Sequence, residues 1–143
     1  MTRIDFYSLK EGSTSNRLSL TCRLVERIRA AERRILIYCP EFAIAEQLDR
    51  LLWVFRDGSF LPHGLINKVD VELTPVLITT EDHAAGEHQV LINLSFTVPS
   101  CFNQFERVCE PLDRQPDILA AGRERWKFYQ AQGCLLQHNP VAD

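Results

Sequence analysis

The residues best suited to binding a ligand stand near the C-terminus, in the sequence RERWKFYQAQG that spans 123–133. At about 100° per residue, Arg123, Trp126 and Lys127 fall on one side of a helix. Two like charges four residues apart slightly destabilise an isolated helix, so the fold itself gains nothing from Arg123 and Lys127. An indole between a guanidinium and an ammonium suits a peptide that carries both an apolar side chain and a carboxylate. Spacing alone still favours the plainer interpretation, in which Trp126 lies in the core and the two cations are solvated.

A second group of aromatic, proline and aliphatic residues surrounds the end of a predicted helix and the loop after it. It comprises Trp53, Phe55, Phe60, Leu61, Pro62 and Leu65. Residues of this kind usually cover a core, but clustered apolar surface also marks protein interfaces. His63, in the same loop, is either a buried, hydrogen-bonded histidine or a contact residue. Both questions stay open on the sequence alone.

Residue patterns for catalysis and for nucleotide binding are missing. The turn KEGSTSN after the first predicted strand has one glycine, so it matches neither GxGxxG nor GxxxxGK[ST]. The sequence contains no GxSxG and no HExxH either. We therefore expect no cofactor and no catalytic residues.

One stretch rich in acidic residues and histidine has the ligand types of a metal site. Its candidates are Glu81, Asp82, His83, Glu87 and His88. Because Ala84, Ala85 and Gly86 interrupt the stretch and its histidines lack the i, i+4 spacing of a helix, we interpret it as a solvated hairpin turn. The five cysteines include no CxxC pair, which predicts reduced, mostly buried thiols rather than a zinc module.

Composition limits the classes of function. The 143 residues suit a single domain, 1–143, and the hydrophobic share of 45% is that of an ordinary globular protein. A net charge of -3 counts against general nucleic-acid binding, which depends on many cationic contacts to phosphate, so any basic patch must be local. No stretch approaches the roughly 20 apolar residues of a membrane span, and the N-terminus has no signal-peptide run. We expect a cytoplasmic protein.

Alternating predicted strands and helices indicate a three-layer α/β fold, with a mostly parallel, doubly wound sheet and helices on both faces. Strands are predicted at 4–9, 34–39, 74–79 and 89–96, with a short one at 108–109 before Pro111. Helices are predicted at 17–31, capped by Asn16 or Ser15, at 40–55, and at 117–132, where Gly133 ends the last one. Residues 60–70 are predicted as a loop, and His138 lies in a tail that could be disordered.

Several segments, in order and at matching spacing, are similar to one known family. They are IDFYSL, ILIYC followed by EQLDRLLW, SFLPHGL, VLINLS, VPSCFNQFERVCE and RERWKFYQAQG, which together run through nearly the whole chain. On these segments the chain resembles the chi subunits associated with the clamp loader of bacterial DNA polymerase III. The combination W...SF.PH.L and the helix with RER, an aromatic residue and lysine are its most specific parts.

The resemblance implies a non-enzymatic adaptor with a Rossmann-like fold and no nucleotide. One surface of such proteins binds the acidic, Pro-Phe-ended C-terminal tail of single-stranded-DNA-binding protein, and another binds the psi subunit, which links chi to the clamp loader. Matched by motif, the tail site falls on Arg123, Trp126, Lys127, Leu112 and Gln130. The psi surface falls on Trp53, Phe60, Pro62 and His63.

Some positions depart from the family pattern. Leu119 and Gln130 stand where well-known members carry further basic residues, which predicts a less basic pocket, and Trp126 replaces a tyrosine. Two functions of other classes remain: a small nucleotide-dependent enzyme on the same fold, and direct binding of single-stranded DNA through the basic and aromatic helix. The single-glycine turn counts against the first, and the few cations of an acidic chain count against the second.

Overall fold

The computed structural model describes residues 2–55 and 61–143, in which strands and helices alternate. The strands are β1 (Arg3–Leu9), β2 (Ile35–Tyr38), β3 (His63–Leu65), β4 (Val76–Thr79), β5 (Val90–Asn93), β6 (Arg107–Leu112) and β7 (Leu135–Val141). The helices are α1 (Arg17–Ala30), α2 (Phe42–Val54) and α3 (Pro116–Ala131), with a 3-10 turn at Phe102–Gln104. No helix in the described part of the chain combines the length and the apolar character needed to cross a membrane.

The strand pairings among the described residues are all parallel, in the order β3-β4-β2-β5-β6-β1-β7. Helices α1 and α2 pack on one face of the sheet, against residues such as Tyr7, Ile37 and Ile92. Helix α3 packs on the other face, against Phe6 and Val108. The predicted three-layer α/β architecture is therefore confirmed, and the carboxyl ends of the strands lie along one edge of the sheet.

Local capping residues explain where the helices begin and end. Asn16 Oδ1 accepts a hydrogen bond from Ser19 N at 2.9 Å, and Ser19 Oγ accepts one from Asn16 N at 3.2 Å, so Asn16 caps α1 as predicted. Pro116 occupies the first turn of α3, where its missing N–H is not needed. Gly133, at a positive φ of 76°, follows α3 and turns the chain toward β7. Helices α1 and α3 begin and end within one residue of their predicted bounds.

Two predictions about the middle of the sheet are wrong. The stretch 81–88 is not a hairpin turn, because β4 and β5 are not neighbours: both pair in parallel with β2, from opposite sides. Strand β6 does not stop before Pro111 but continues to Leu112. Since β5 pairs with β6 only as far as Cys109, Pro111 lies beyond that ladder, where a strand can hold a residue without an N–H.

The two edge strands also differ from the sequence prediction. Strand β3 lies inside the segment 60–70, which was predicted as a loop, and pairs with β4 over His63–Leu65. Strand β7 spans the predicted C-terminal tail, so the expectation of disorder around His138 is wrong. Strand β3 has only three residues, and most β7 residues are exposed, so neither shows the apolar alternation that marks a strand in a sequence.

The end of the chain after β7 is tied to the loop before α1. The Asp143 carboxylate accepts hydrogen bonds from the backbone N–H groups of Thr14, at 2.9 Å, and Ser15, at 3.3 Å. The Ser13 hydroxyl donates a further one. These bonds, above all the one from Ser13, hold the pKa of the Asp143 carboxyl below its usual range. Strand β7 is therefore anchored at its carboxyl end as well as along β1.

A buried ionic group joins α3 to the sheet. Arg125 Nε donates to Glu110 Oε1 at 3.0 Å, and the two side chains are 2% and 0% exposed. Tyr129 Oη and Asn93 Nδ2 donate to Glu110 Oε2 at 2.7 and 3.0 Å. Burial is the main reason why the pKa of the Tyr129 hydroxyl is raised. Both Glu110 oxygens thus have partners, and charge as well as packing determines how α3 sits on β6.

Because the Glu110 carboxylate is buried, a neutral replacement leaves the Arg125 charge without compensation. We expect Glu110→Gln to lower the free energy of unfolding by about 3 kcal/mol, measured by urea denaturation. Glu124→Gln is the matched control, since Glu124 meets Lys127 at 3.5 Å with both side chains largely exposed. Its effect should stay below about 0.5 kcal/mol. Equal effects of the two substitutions would contradict a dominant role for the buried pair.

Candidate functional site

A groove runs between α3 and the strands β1, β6 and β7. It has a volume of about 500 Å³, and we call it the α3 groove. Its lining residues are Phe6, Ser8, Leu112, Arg114, Leu119, Gly122, Arg123, Trp126, Lys127 and His138. Helix α3 contributes half of them, and the strands with the β6–α3 connection contribute the rest. The groove therefore exists only because α3 and the strands are held together.

The centre of the α3 groove is apolar. The Trp126 indole is half-buried against Phe6, with ring centroids 5.1 Å apart and planes inclined by 61°. Leu112, on β6, is 7% exposed and lies against Gly122. A Cβ placed on Gly122 would lie 2.9 Å from Leu112 Cδ1, so the helix approaches the strand about as closely as a glycine allows. Trp126 and Leu112 together can receive one apolar side chain.

The rim of the α3 groove is positively charged. Arg114, Arg123 and Lys127 are exposed, and no aspartate or glutamate is among the described lining residues. Within the described part of the chain, neither arginine has a hydrogen bond or an ion pair. Lys127 meets Glu124 at 3.5 Å, with side chains 71% and 75% exposed, a contact of little energetic weight. On a chain of net charge -3, such a rim favours an anionic ligand.

His138 and Ser8 form part of the strand side of the α3 groove. His138 lies opposite Phe6 in the register of β7 on β1, and its Nε2 is 2.6 Å from Ser8 Oγ. The hydroxyl can donate to a neutral imidazole or accept from a protonated one. Strand β7 therefore presents an oriented imidazole to the same space as Trp126.

The structure brings four of the five predicted tail-site residues together. Arg123, Trp126, Lys127 and Leu112 all line the α3 groove. Gln130 is exposed about one turn beyond Trp126 on α3 and is not among the lining residues. Helical spacing predicted that Arg123, Trp126 and Lys127 share one surface, and the family resemblance was needed to interpret that surface as a binding site.

The groove residues that come from elements other than α3, apart from Leu112, were not predicted from the sequence. Phe6 and Ser8 lie beside α3 because β1 pairs with β6, and His138 lies there because β7 pairs with β1. Arg114 depends on the short β6–α3 connection. Finding His138 also required β7 to be recognised as a strand, which its exposed side chains conceal. The polar run DRQ just before α3 was a usable signal for Arg114, since a segment that enters a helix lies beside the first turn.

A second, smaller hollow of about 200 Å³ lies between α2 and β3. The Trp53 and His63 rings line it, with centroids 4.3 Å apart. Trp53 is 47% exposed, Pro62 is exposed and His63 is buried. Phe60, predicted for the same surface, lies outside the described residues. We call Trp53, Pro62 and His63 the α2–β3 surface.

His63 has a structural place in the α2–β3 surface. Both of its ring nitrogens contact backbone carbonyls: Nδ1 is 2.7 Å from Leu61 O, and Nε2 is 2.9 Å from Asp49 O. The Asp49 carboxylate lies 3.4 Å from the same Nε2. His63 thus ties β3 to α2, and of the two roles that the sequence left open it has the buried, hydrogen-bonded one.

A larger cavity of about 640 Å³ lies at the carboxyl edge of the sheet, where doubly wound folds usually bind nucleotides. The Arg17 guanidinium, which lines it, donates to the carbonyl of Pro111 at 2.9 Å and to carbonyls at the end of β5. The N–H groups of Thr14 and Ser15 are bonded to the Asp143 carboxylate. The Arg17 guanidinium and these two N–H groups are of the kinds that bind phosphate, and they already have hydrogen-bond partners within the chain.

Two further groups of potentially reactive side chains are those of the stretch 81–88 and the five cysteines. In residues 2–55 and 61–143, no group of three histidine, cysteine, aspartate or glutamate side chains is arranged to hold a metal ion. Within 81–88, His83 Nε2 lies 2.9 Å from the Glu81 carboxylate, and both side chains are exposed. The five cysteines are free thiols, and burial raises the pKa of the Cys109 thiol to about 12.

Nearly the whole chain matches one protein family. The family model described as DNA polymerase III chi subunit, HolC, matches residues 1–137. DNA polymerase III subunit chi of Pseudomonas aeruginosa is 35% identical over 137 residues, which cover 96% of this chain and 95% of that protein. The chain belongs to the DNA polymerase III chi subunit family. Subunit chi of Escherichia coli K12 is 30% identical over 142 residues, which cover 95% of this chain and 96% of that protein.

The chi-family fold also resembles part of a larger solved structure. The crystal structure of T4 UvsW matches with a TM-score of 0.67 and 9% identity, over 99% of this chain and 42% of that one. The chain thus spans less than half the length of that structure. An identity this low shows the fold alone, and it says nothing about the α3 groove.

The contact of Gly122 with Leu112 can be tested through stability. In an ordinary helix, Gly→Ala stabilises by about 1 kcal/mol. In this chi-family chain the added methyl must displace Leu112, so we expect Gly122→Ala to give no gain, or a loss of about 1 kcal/mol. In a Leu112→Ala background, the same substitution should recover the gain of about 1 kcal/mol. Equal stabilisation in both backgrounds, measured by urea denaturation, would contradict the close contact.

Proposed function

We propose that this chain is a non-catalytic replisome adaptor whose α3 groove binds the acidic, Pro-Phe-ended C-terminal tail of single-stranded-DNA-binding protein. Membership of the chi family supports a role with DNA polymerase III in the cytoplasm. The observation that carries the tail proposal is an apolar centre, made by Trp126 and Leu112, inside a cationic rim without carboxylates among its described residues. A ligand with an aromatic end and acidic residues complements both features.

Each predicted side chain has a role that its position supports. Arg123 is exposed at the groove without an internal partner among the described residues, so its guanidinium can hold the terminal carboxylate through two hydrogen bonds. Trp126 and Leu112 receive the phenylalanine ring, which an indole can contact edge to face. Lys127 attracts the acidic residues that precede the ring. Gln130, about one turn further along α3, can contact the upstream part of the tail.

The affinity should be modest and sensitive to salt. A tail that is disordered when free loses conformational entropy as it orders on the groove. The cations of the rim are exposed, and interactions of exposed charges are screened over about 8 Å at physiological ionic strength. The walls of the groove are a helix and hydrogen-bonded strands, so the protein itself needs little rearrangement to bind.

Titration calorimetry with a peptide that ends in acidic residues and Pro-Phe tests the tail proposal. Arg123→Ala and Trp126→Ala should each weaken binding at least about tenfold, because each removes a central group of a small interface. Wild-type affinity should fall as the salt concentration rises. Amidation of the peptide C-terminus should weaken binding about as much as Arg123→Ala does.

Arg27→Ala is the matched control for the same titration. Arg27 is an exposed arginine of α1, on the opposite face of the sheet, and its removal should leave affinity unchanged. Unchanged affinity in Arg123→Ala, or equal affinity for the free and amidated peptides, would show that Arg123 does not hold a terminal carboxylate.

We propose the α2–β3 surface, together with Phe60, as the site for the psi subunit or an equivalent helical partner that connects the chain to the clamp loader. Trp53 is half exposed and Val54 is 71% exposed, and clustered apolar side chains of this kind mark protein interfaces. Buried His63 contributes by holding the backbone on which Pro62 stands. The α3 groove and the α2–β3 surface lie near opposite edges of the sheet, so both partners can bind at once.

Substitution of the exposed indole tests this second surface. Trp53→Asp should prevent co-elution of the purified chain with the psi subunit in size-exclusion chromatography, because it places a charge in an apolar interface. Phe128→Asp is the matched control, since Phe128 is 41% exposed on α3, on the other face of the sheet. If both variants keep the wild-type circular dichroism spectrum and both still co-elute, the assignment of this surface is wrong.

A nucleotide-dependent enzyme on the same fold is the main alternative. The backbone N–H groups of Thr14 and Ser15, in the loop before α1, donate to the Asp143 carboxylate, so they are not free to bind a phosphate. Arg17 is committed to strand-end carbonyls. A thermal shift with ATP or NAD that depends on residues 12–16 would revive this alternative. Direct binding of single-stranded DNA is less favoured, because three cations are few for following a phosphate backbone.

A further inference from the structure

We propose that Arg114 and His138 hold the acidic residues of the ligand at the strand side of the α3 groove, while Arg123 holds the terminal carboxylate at the helix side. Neither Arg114 nor His138 belongs to the predicted tail site. The inference rests on the proposed function and extends it, because it adds residues outside α3 to Lys127 in the recognition of acidic side chains.

Arg114 presents an uncompensated charge because of how the β6–α3 connection folds. Asp113, its neighbour, is 5% exposed and accepts hydrogen bonds from the backbone N–H groups of Arg17, at 3.3 Å, and Gln115, at 3.0 Å. That carboxylate is therefore engaged in the interior. Arg114 itself is exposed, lines the groove, and has no hydrogen bond or ion pair within the described part of the chain. Its guanidinium is available for a ligand carboxylate.

His138 reaches the same space from β7. Ser8 Oγ holds its Nε2 at 2.6 Å, and Nδ1 has no hydrogen-bond partner among residues 2–55 and 61–143. When the Ser8 hydroxyl donates to Nε2, the neutral ring carries its proton on Nδ1 and can donate it to a carboxylate. Because Asp143 anchors the chain just after β7, the imidazole is already in position before a ligand arrives.

The positions of the four polar groups indicate the chemistry of the ligand. Arg123 and Lys127 lie one turn apart on α3, Arg114 precedes that helix, and His138 faces the groove from β7. The apolar centre around Trp126 separates the helix side from the strand side. Carboxylates spaced along a peptide with an aromatic end suit this arrangement, whereas the continuous phosphates of a nucleic acid do not.

Two peptides separate the recognition of the tail end from that of the acidic residues. Both end in Pro-Phe with a free carboxylate, and one has aspartates upstream where the other has asparagines. Arg114→Gln should weaken binding of the aspartate peptide about fivefold and leave the asparagine peptide unchanged. His138→Leu should show the same selectivity with a loss of about two- to threefold. Arg123→Gln should weaken both peptides, and Arg27→Gln neither.

The outcomes distinguish this inference from the proposed function. The inference is wrong if Arg114→Gln binds both peptides as the wild type does, or loses the same affinity for both. If Arg123→Gln at the same time binds neither peptide, the tail proposal stands. If the wild type binds neither peptide, the proposed function is wrong, and the inference with it. An oligothymidylate whose binding weakens in Arg114→Gln as much as that of the aspartate peptide would overturn the preference for carboxylates. Thermal unfolding confirms that each variant is folded.

Discussion

The buried carboxylate of Glu110 is the constraint on which the position of α3 depends. Arg125 and Tyr129, one turn apart on the helix, both donate to it, at 3.0 and 2.7 Å. Helix α3 can therefore neither rotate nor slide on β6 without leaving a buried charge unpaired, which is far more costly than the loss of an apolar contact. With those two side chains fixed inward, Arg123 and Lys127 are directed to the open side of the helix. The cationic side of the α3 groove is a consequence of this buried pair.

The sequence predicted the longer elements that bury apolar side chains and missed the three-residue strand β3 and the largely exposed strand β7. Helices α1 and α3 leave a periodic apolar pattern, and the buried strands β2, β4 and β5 leave short continuous apolar runs, so their existence could be recognised. Strand order left no such pattern, which is why β4 and β5 were mistaken for a hairpin although β2 lies between them. Burial of Arg125 was also invisible, because its partner Glu110 lies on another element and only the fold brings the two charges together.

The α3 groove also has one part that the sequence predicted and one part that it did not. Its helix side, Arg123, Trp126 and Lys127, follows from the period of one helix and could be predicted. Its strand side depends on β1 lying beside β6 and on β7 lying in register beside β1, two pairings between residues more than a hundred positions apart. The expectation of a less basic pocket rested on Leu119 and Gln130; Leu119 lines the groove with an apolar side chain, whereas Gln130 is not among the described lining residues. The structure adds Arg114, from the β6–α3 connection, to the lining of the groove. The absence of a cation at Leu119 therefore does not by itself determine the charge of the groove.

The whole chain has a negative net charge and the α3 groove has a positively charged rim, and this difference bears on selectivity. A net charge of -3 opposes long-range attraction of the chain to the phosphates of DNA. The charged side chains that line the α3 groove are positive, in contrast to the net charge of the chain. Its cations have few internal partners, and no carboxylate is among its described lining residues. A uniformly basic protein would bind the DNA itself, through the release of counterions. An acidic chain with one basic groove instead favours a ligand that brings its negative charge together with an aromatic side chain, which a protein tail offers and a phosphate backbone lacks.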